Sequence, residues 1–242
     1  MSGHSKWATT KRAKAVVDAK RGAAFTKISN LISIAAREKG GDPETNFSLR
    51  LAIDKAKAVN MPKENIERAI KRGTGALGGG TIEELVYEGI GPAKAQFIIK
   101  CLTDNRNRAA ANVRHFFTKY GGSLTPVLWN FTLRGVIMIS AEELAAKKVT
   151  MDDMELDLID AGMGDVLDEA DGVTIYTKPE DLAAVKQFLE NRKITIEHAA
   201  IEYVAKEKIN ITKAEDVEHL EKFIDAVEGD EDVSEYYTNA QF

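Results

Sequence analysis

Apolar positions along the chain set the first expectations. From Ala24 they fall at helical spacing, with Phe25, Ile28, Ile32 and Ala35 on one stripe and Leu31 beside it. Recurrence every three to four residues marks a helix with one buried face. Gly40-Gly41 ends that helix, and Asp42-Pro43 reads as the next start signal, a capping carboxylate followed by proline at the first helical position. The second helix carries Leu49, Ala52, Ile53 and Ala56. Asn60-Met61-Pro62 breaks it, Pro62 opens a third helix with Ile66 and Ile70 inward, and Gly73 stops that one. A small all-helical domain over residues 22–78 follows from this pattern, behind a basic arm at 1–21. That arm reads as mobile or as a weakly packed helix.

Beyond the glycine-rich connector at 73–80 the period changes. Ala95–Leu102 reads as a buried strand, and Ala109–Tyr120 as a helix with Val113, Phe116, Phe117 and Tyr120 on one face. Val127–Phe131 and Gly135–Ser140 read as strands, and Met151–Ala161 as a helix with Met154 and Leu158 inward. Strands at Asp165–Asp168 and Val173–Tyr176 flank a turn at Ala170-Asp171-Gly172. Pro179–Asn191 is helical, Ile194–Val204 extended, Lys213–Val227 helical and Val233–Tyr237 a last strand. The order β-α-β-β-α-β from Gly135 to Val204 is the split βαβ, ferredoxin-like unit. The expected fold class is a multidomain α+β protein: a helical N-terminal domain, then two ferredoxin-like α+β domains, the third inserted in the second. Residues 79–134 plus 207–242 make the discontinuous domain, and 135–206 the inserted one.

Charge changes the picture more than composition does. The net charge of −5 hides a division. Residues 1–77 hold 16 Lys and Arg against 7 Asp and Glu, whereas 78–242 hold 17 against 31. A chain with one positive end and one negative end points to a polyanionic partner for the positive end. Seven cations, Lys6, Lys11, Arg12, Lys14, Lys20, Arg21 and Lys27, face only Asp18 within the first 27 residues. Such groups neutralise phosphates and release counterions. Small residues between them let a backbone approach, and His4 and Trp7 suit stacking on bases or ribose. A second candidate is the start of the helix near Ala109, where Arg106 and Arg108 crowd an already electropositive terminus and Arg114 extends the patch. Asp104 offers these arginines an internal partner instead.

Other chemistries find little support. Gly73–Gly78 spells GxGxxG, but a helix precedes it and more glycine follows, so it reads as a linker and not a dinucleotide fingerprint. The four histidines are scattered, outside any zinc spacing. The acidic run Asp152, Asp153, Glu155, Asp157, Asp160, Asp165, Asp168, Glu169 and Asp171 lacks the register of a calcium loop and reads as a solvated face, with docking of a basic protein as the weaker reading. Cys101 lies in an apolar run and reads as a buried, inert thiol. No apolar stretch approaches the roughly 20 residues of a membrane span. Neither a cofactor nor a metal is expected.

The motifs carry a resemblance. GHSKWA at Gly3–Ala8, DAKRG at Asp18–Gly22, FTK at Phe25–Lys27 and GGDP at Gly40–Pro43 lead it. LRLAIDKAKAVNMPKENIERAIKRGTG at Leu49–Gly75, YEGIGP at Tyr87–Pro92 and LTDNRNRAAANVRHFFTKYGG at Leu102–Gly122 continue it. In these strings the chain resembles the YebC/PmpR family of probable transcriptional regulators, which includes a mitochondrial translational activator of cytochrome c oxidase subunit I. The resemblance implies three domains with the third inserted, no enzymatic activity, and nucleic-acid binding. The target is promoter DNA for some members; for others the role is ribosome-associated and helps translation through difficult sequences such as proline runs. It also adds the Asn60-Met61-Pro62 loop to the contact set. Two loops depart from the family pattern: Ser123–Pro126 is short, and Ala93-Lys94 stand where small glycines are common.

Together these readings predict a cytoplasmic, non-enzymatic regulator of gene expression that binds promoter DNA or, alternatively, ribosomal RNA on the ribosome. The expected contacts are His4, Lys6, Trp7, Lys11, Arg12, Lys14, Lys20, Arg21, Lys27, Asn60, Arg106, Arg108 and Arg114. No membrane partner is expected, a protein partner on the acidic C-terminal domains stays open, and the oligomeric state leans to a monomer.

Overall fold

In the computed structural model, which describes residues 21–77 and 82–242, three helices come first: α1 (Arg21–Lys39), α2 (Phe47–Ala58) and α3 (Lys63–Gly73). Ile32, Ala35, Leu49, Ala52, Ala56, Met61, Ile66 and Ala69 form their common core, with Phe25, Ile28, Leu31 and Ile70 packed against it. The N-cap of α2 is Asn46 and not Asp42, which lies in a preceding turn. Fully buried, the Asn46 side chain accepts from Leu49 N at 3.0 Å and donates to the Ala35 and Gly40 carbonyls at 2.8 and 2.7 Å. One amide thus caps α2 and satisfies carbonyls at the end of α1. Aspartate at 42 has an acceptor but no donor to offer those carbonyls. Gly73 is the last residue of α3 rather than a stop beyond it, and it sits against α1: a Cβ there would lie 2.2 Å from the Ser33 carbonyl oxygen.

Ten strands and five further helices follow. They are β1 (Glu83–Ile90), β2 (Gln96–Thr103), α4 (Arg106–Lys119), β3 (Ser123–Leu124), β4 (Phe131–Ser140), α5 (Ala141–Lys147), α6 (Glu155–Asp160), β5 (Met163–Glu169), β6 (Gly172–Thr177), α7 (Leu182–Asn191), β7 (His198–Ala205), β8 (Ile209–Asn210), α8 (Ala214–Glu228), β9 (Val233–Thr238) and β10 (Ala240–Gln241). The molecule is an α+β protein, helices first and antiparallel sheets after. It divides into two units: the described residues up to Asn130 with Ala205–Phe242, and Phe131–Val204.

In the first unit the sheet order is β3-β1-β2-β9, with each neighbouring pair antiparallel. Helices α4 and α8 cover it through Phe97, Val113, Phe117, Leu220, Phe223 and Val227, all buried. The Phe97 and Phe117 rings lie 4.7 and 5.2 Å from Phe223. Burying each such ring contributes about 2–3 kcal/mol. Gly89 on β1 makes room for Phe117, whose ring a Cβ would meet at 2.4 Å. Strand β1 was not legible in the alternation of its residues: Glu83, Glu84 and Glu88 interrupt it, and only Gly89 is buried.

The three-helix domain is tied to this sheet. Ile34, on the flank of α1 away from its helical partners, packs with Ile82 and Leu102. Arg37 donates to the Ile82 carbonyl at 2.6 Å and Asn30 to the Leu102 carbonyl at 3.3 Å. Lys55 on α2 pairs with Glu235 on β9 at 2.7 Å.

The second unit has the sheet order β5-β6-β4-β7, with α5 against β4 and β6, and α7 against β4. Two expectations are corrected here or at the boundary. The Val127–Phe131 strand is a short 3-10 turn at Leu128–Asn130, and β4 begins at Phe131. The Met151–Ala161 helix shrinks to Glu155–Asp160, because Thr150–Met154 is taken up by a turn in which Asp153 accepts from Thr150. Ala141–Lys147 forms a helix that its small, charged composition concealed; Ser140 caps it by accepting from Glu143 N.

Candidate nucleic-acid interface

His4, Lys6, Trp7, Lys11, Arg12, Lys14 and Lys20 lie outside the described residues. Arg21 is the first residue of α1. Lys27, two turns on, is half-buried and its ammonium donates to the Glu228 carbonyl at 2.8 Å, at the end of α8. A cation at a helix C-terminus is favourable, so Lys27 also ties α1 to the α+β part of its unit. Asn60 is exposed in a left-handed conformation, φ +55°, just after α2. Its N–H donates to the Lys57 carbonyl, and Met61 then turns inward with its N–H on the Ala56 carbonyl. This closes α2 in the way an asparagine tolerates better than most residues, and leaves the Asn60 side chain facing solvent.

The arginines of α4 divide into two kinds. Asn105, not Asp104, caps this helix by accepting from Arg108 N at 3.0 Å. The Arg108 guanidinium is occupied by carboxylates: both oxygens of Asp232 at 2.7 Å and Asp104 at 3.1 Å. Arg106 is largely exposed, with Nε 3.4 Å from Glu83. Arg114 is exposed. Burial raises the Tyr87 phenol above its usual range, and both Arg106 and Arg114 oppose that rise, which places the two cations near one tyrosine.

A third cationic feature lies between α1 and α3. Phe25, Thr26, Ser29 and Asn30 from α1 and Asn65, Arg68, Ala69 and Arg72 from α3, with Leu77, line an open groove of about 460 Å³. No carboxylate is among these residues. Arg72 is held by neutral groups, donating from Nε to Ser33 Oγ at 3.0 Å and from Nη2 to Asn30 Oδ1 at 2.9 Å. Ser33 Oγ in turn donates to the Ala69 carbonyl. Partial burial lowers the Arg72 pKa from its ordinary value, and Asp104 opposes that only through space. Arg68 is exposed. Asn65, Arg68 and Arg72 recur at three and four residues, so helical spacing alone places them on one polar face of α3. Reading α3 for its apolar face only is what left them out.

Elsewhere the chemistry is quiet. Asp152, Asp153, Glu155, Asp157, Asp160, Asp165, Asp168 and Asp171 are exposed. Among the described residues no group of three or more His, Cys, Asp or Glu is placed to hold a metal, and no helix is long and apolar enough to cross a membrane. Cys101 is buried, and burial pushes its thiol up to about 12. At physiological pH it is protonated and a poor nucleophile.

Comparison with known proteins places the chain in a family. The profile described as "TACO1/YebC protein N-terminal domain" matches residues 5–76, and the one described as "TACO1/YebC second and third domain" matches residues 82–240. Among similar proteins is a "Probable transcriptional regulatory protein" of Moorella thermoacetica, 48% identical over 99% of this chain and 95% of that protein. Another of the same name, from Halothermothrix orenii, is 45% identical over 99% of this chain and 94% of its own. A crystal structure of a conserved hypothetical protein from Aquifex aeolicus superposes with a TM-score of 0.80 at 39% identity, covering 93% of this chain and 91% of that one. With profiles spanning both halves and full-length relatives well above 30% identity, the chain belongs to the TACO1/YebC family.

Proposed function

We propose that the protein is a non-enzymatic regulator of gene expression that works by binding nucleic acid through its N-terminal third, with DNA at promoters as the first target. The observation that carries this reading is the charge division: 16 cations against 7 anions in residues 1–77, and 17 against 31 in the remainder. The names of the full-length relatives agree with a role in transcription. Lys6, Lys11, Arg12, Lys14, Lys20 and Arg21 supply phosphate contacts, and His4 and Trp7 stack on bases or ribose. Arg106 and Arg114 add a second contact on α4. The acidic face of the second unit repels the polyanion and so orients the molecule, or meets a basic protein.

Binding to ribosomal RNA, with a role in translation, is the second reading. It is favoured by the open α1–α3 groove, whose described lining carries Arg68 and Arg72 and no carboxylate.

The test is electrostatic. With about six phosphates neutralised on duplex DNA, log affinity falls against log salt with a slope near −5. Replacing Lys11, Arg12 and Lys14 together by Ala brings that slope close to −3. A flat salt response of the intact protein overturns the reading. Promoter DNA bound normally by the triple variant, together with loss of ribosome co-sedimentation, moves the function to translation.

A further inference from the structure

We infer that the groove between α1 and α3 seats one nucleotide of a single-stranded nucleic acid, its phosphate on Arg68 and Arg72 and its base or sugar against Phe25. This rests on the nucleic-acid reading above and names the form of the partner that one part of the domain recognises.

The groove is built for an anion. Among the described residues it carries two guanidiniums one helical turn apart and no carboxylate. Most arginines elsewhere in the α+β part of this unit sit on acids, as Arg108 does on Asp232 and Asp104. Arg72 differs, because its partners Ser33 and Asn30 orient the side chain without neutralising it. Two of its five donors are used there, and its Nη1 has no acceptor among the described residues. Asn30 is itself fixed, donating to the Leu102 carbonyl. A guanidinium locked in place by neutral groups, and already disfavoured in its charged form by burial, gains most from an arriving phosphate. Arg68, exposed one turn earlier on α3, supplies the second fork.

The rest of the lining fits a nucleoside. Ser29 and Asn65 offer donors and acceptors suited to ribose hydroxyls and base edges, while half-buried Phe25 and exposed Leu77 offer apolar surface. A volume near 460 Å³ falls in the range of small-ligand sites. Among the described residues the groove is open to solvent and not an enclosed cavity, which suits a segment of a longer chain better than a free small molecule. A duplex keeps its bases stacked inside, and puts one here only by extruding it. A single strand meets no such cost, and stacking on an aromatic ring is tolerant of sequence.

The experiment uses the full chain and a fluorescein-labelled single-stranded RNA of about a dozen nucleotides, with a duplex DNA of matching sequence beside it. Anisotropy titrations compare the wild type with Arg68→Glu, Arg68→Lys and, as a charge-matched control, Lys71→Glu, an exposed α3 cation outside the groove. Arg68→Glu is expected to weaken single-strand binding about tenfold or more, Arg68→Lys to recover part of it by keeping the charge without the fork, and Lys71→Glu to cost about threefold or less. Duplex binding should respond to the two charge reversals alike. The inference is overturned if Arg68→Glu binds the single strand as the wild type does, or if Lys71→Glu matches it. Arg68→Glu weakening duplex as much as single strand also overturns it. The separate Lys11, Arg12 and Lys14 variant distinguishes the two readings. If that variant alone loses binding the groove is refuted, and if Arg68→Glu alone does so the N-terminal cluster is refuted.

Discussion

Arg108 grips Asp232 with both prongs of its guanidinium, Nε to Oδ2 and Nη2 to Oδ1, each at 2.7 Å. Asp232 is nearly fully buried, and its backbone carbonyl accepts from Leu102 N at 2.8 Å. The pair therefore fixes the start of β9 to both α4 and the end of β2. Hydrogen bonds from Arg108 hold the Asp232 carboxyl below the usual range. A lysine at 108 keeps the charge but cannot make the two-pronged contact. Arg108→Lys is therefore expected to lower Tm by a few degrees, and Arg108→Gln, which removes the charge, to leave the salt slope of DNA binding unchanged. A slope reduced by about 0.9 in Arg108→Gln would instead put Arg108 on a phosphate.

How much of this was legible beforehand depends on the residue. Ile32, Leu49, Ile66, Val113 and Phe117 were placed inward by period alone, and all are buried. Strand β1 was missed because its glutamates obscure any alternation, and its partner Ala95–Leu102 was found because it is apolar throughout. Asp42 looked like a cap because aspartate is a good one; Asn46 took the position because only an amide also donates to Ala35 and Gly40. The N-terminal cations were conspicuous by density, whereas Arg68 and Arg72 are flanked by Glu64 and Glu67 in sequence and separate from them only when α3 is folded. Lys27 and Arg108 show the converse: linear charge does not reveal which cations a carbonyl or a carboxylate has already engaged.

Glu235 on β9 links the helical domain to the sheet. Burial would raise its pKa, but Lys55 and Lys100, at 2.7 and 3.8 Å, together with the Tyr237 hydroxyl, outweigh that and hold it at about 2. A folded-state pKa below the unfolded one gives stability that is present above the unfolded value, near 4.5, and lost as pH falls toward 2. Glu235→Gln removes this term, at a cost of about 2 kcal/mol at neutral pH once partial exposure is allowed for. The check is urea unfolding across pH. The wild type and the variant should differ at pH 7, the difference shrinking below about 4.5 and closing as pH falls through about 2; a constant difference would mean the carboxylate charge is not what the lysines hold.

The turn between β1 and β2 holds two side-chain residues in left-handed geometry, Ala93 at φ +53° and Lys94 at φ +62°. Glycine takes up such angles without steric cost, and other residues lose roughly 1 kcal/mol or more there. Lys94 is exposed, so Lys94→Gly gives up no packing. It should raise stability by about 0.5–1 kcal/mol, the relief of strain exceeding the added freedom of the unfolded chain. Ala93 packs against the core beneath α8, so Ala93→Gly gains less. Equal effects at the two positions would show that the angle alone, and not the packing, decides the outcome.

Gly73 tests the seam that shapes the proposed groove. As the last residue of α3 it would be expected to gain about 1 kcal/mol on replacement by alanine, from helix propensity alone. Its surroundings reverse that. A Cβ would stand 2.2 Å from the Ser33 carbonyl oxygen and 2.9 Å from the Ala36 Cβ, both on α1. Backbone is on one side of the first contact, so a rotamer change cannot relieve it, and α3 has to move away from α1. Overpacking of this kind costs about 1–3 kcal/mol, so Gly73→Ala is expected to lower the urea midpoint with m unchanged. The same displacement carries the neighbouring Arg72 away from Ser33, which positions its guanidinium. Single-strand RNA affinity should therefore fall in Gly73→Ala even under conditions where the variant is fully folded. Gain of stability with full affinity would mean that the two helices do not meet at Gly73 in solution.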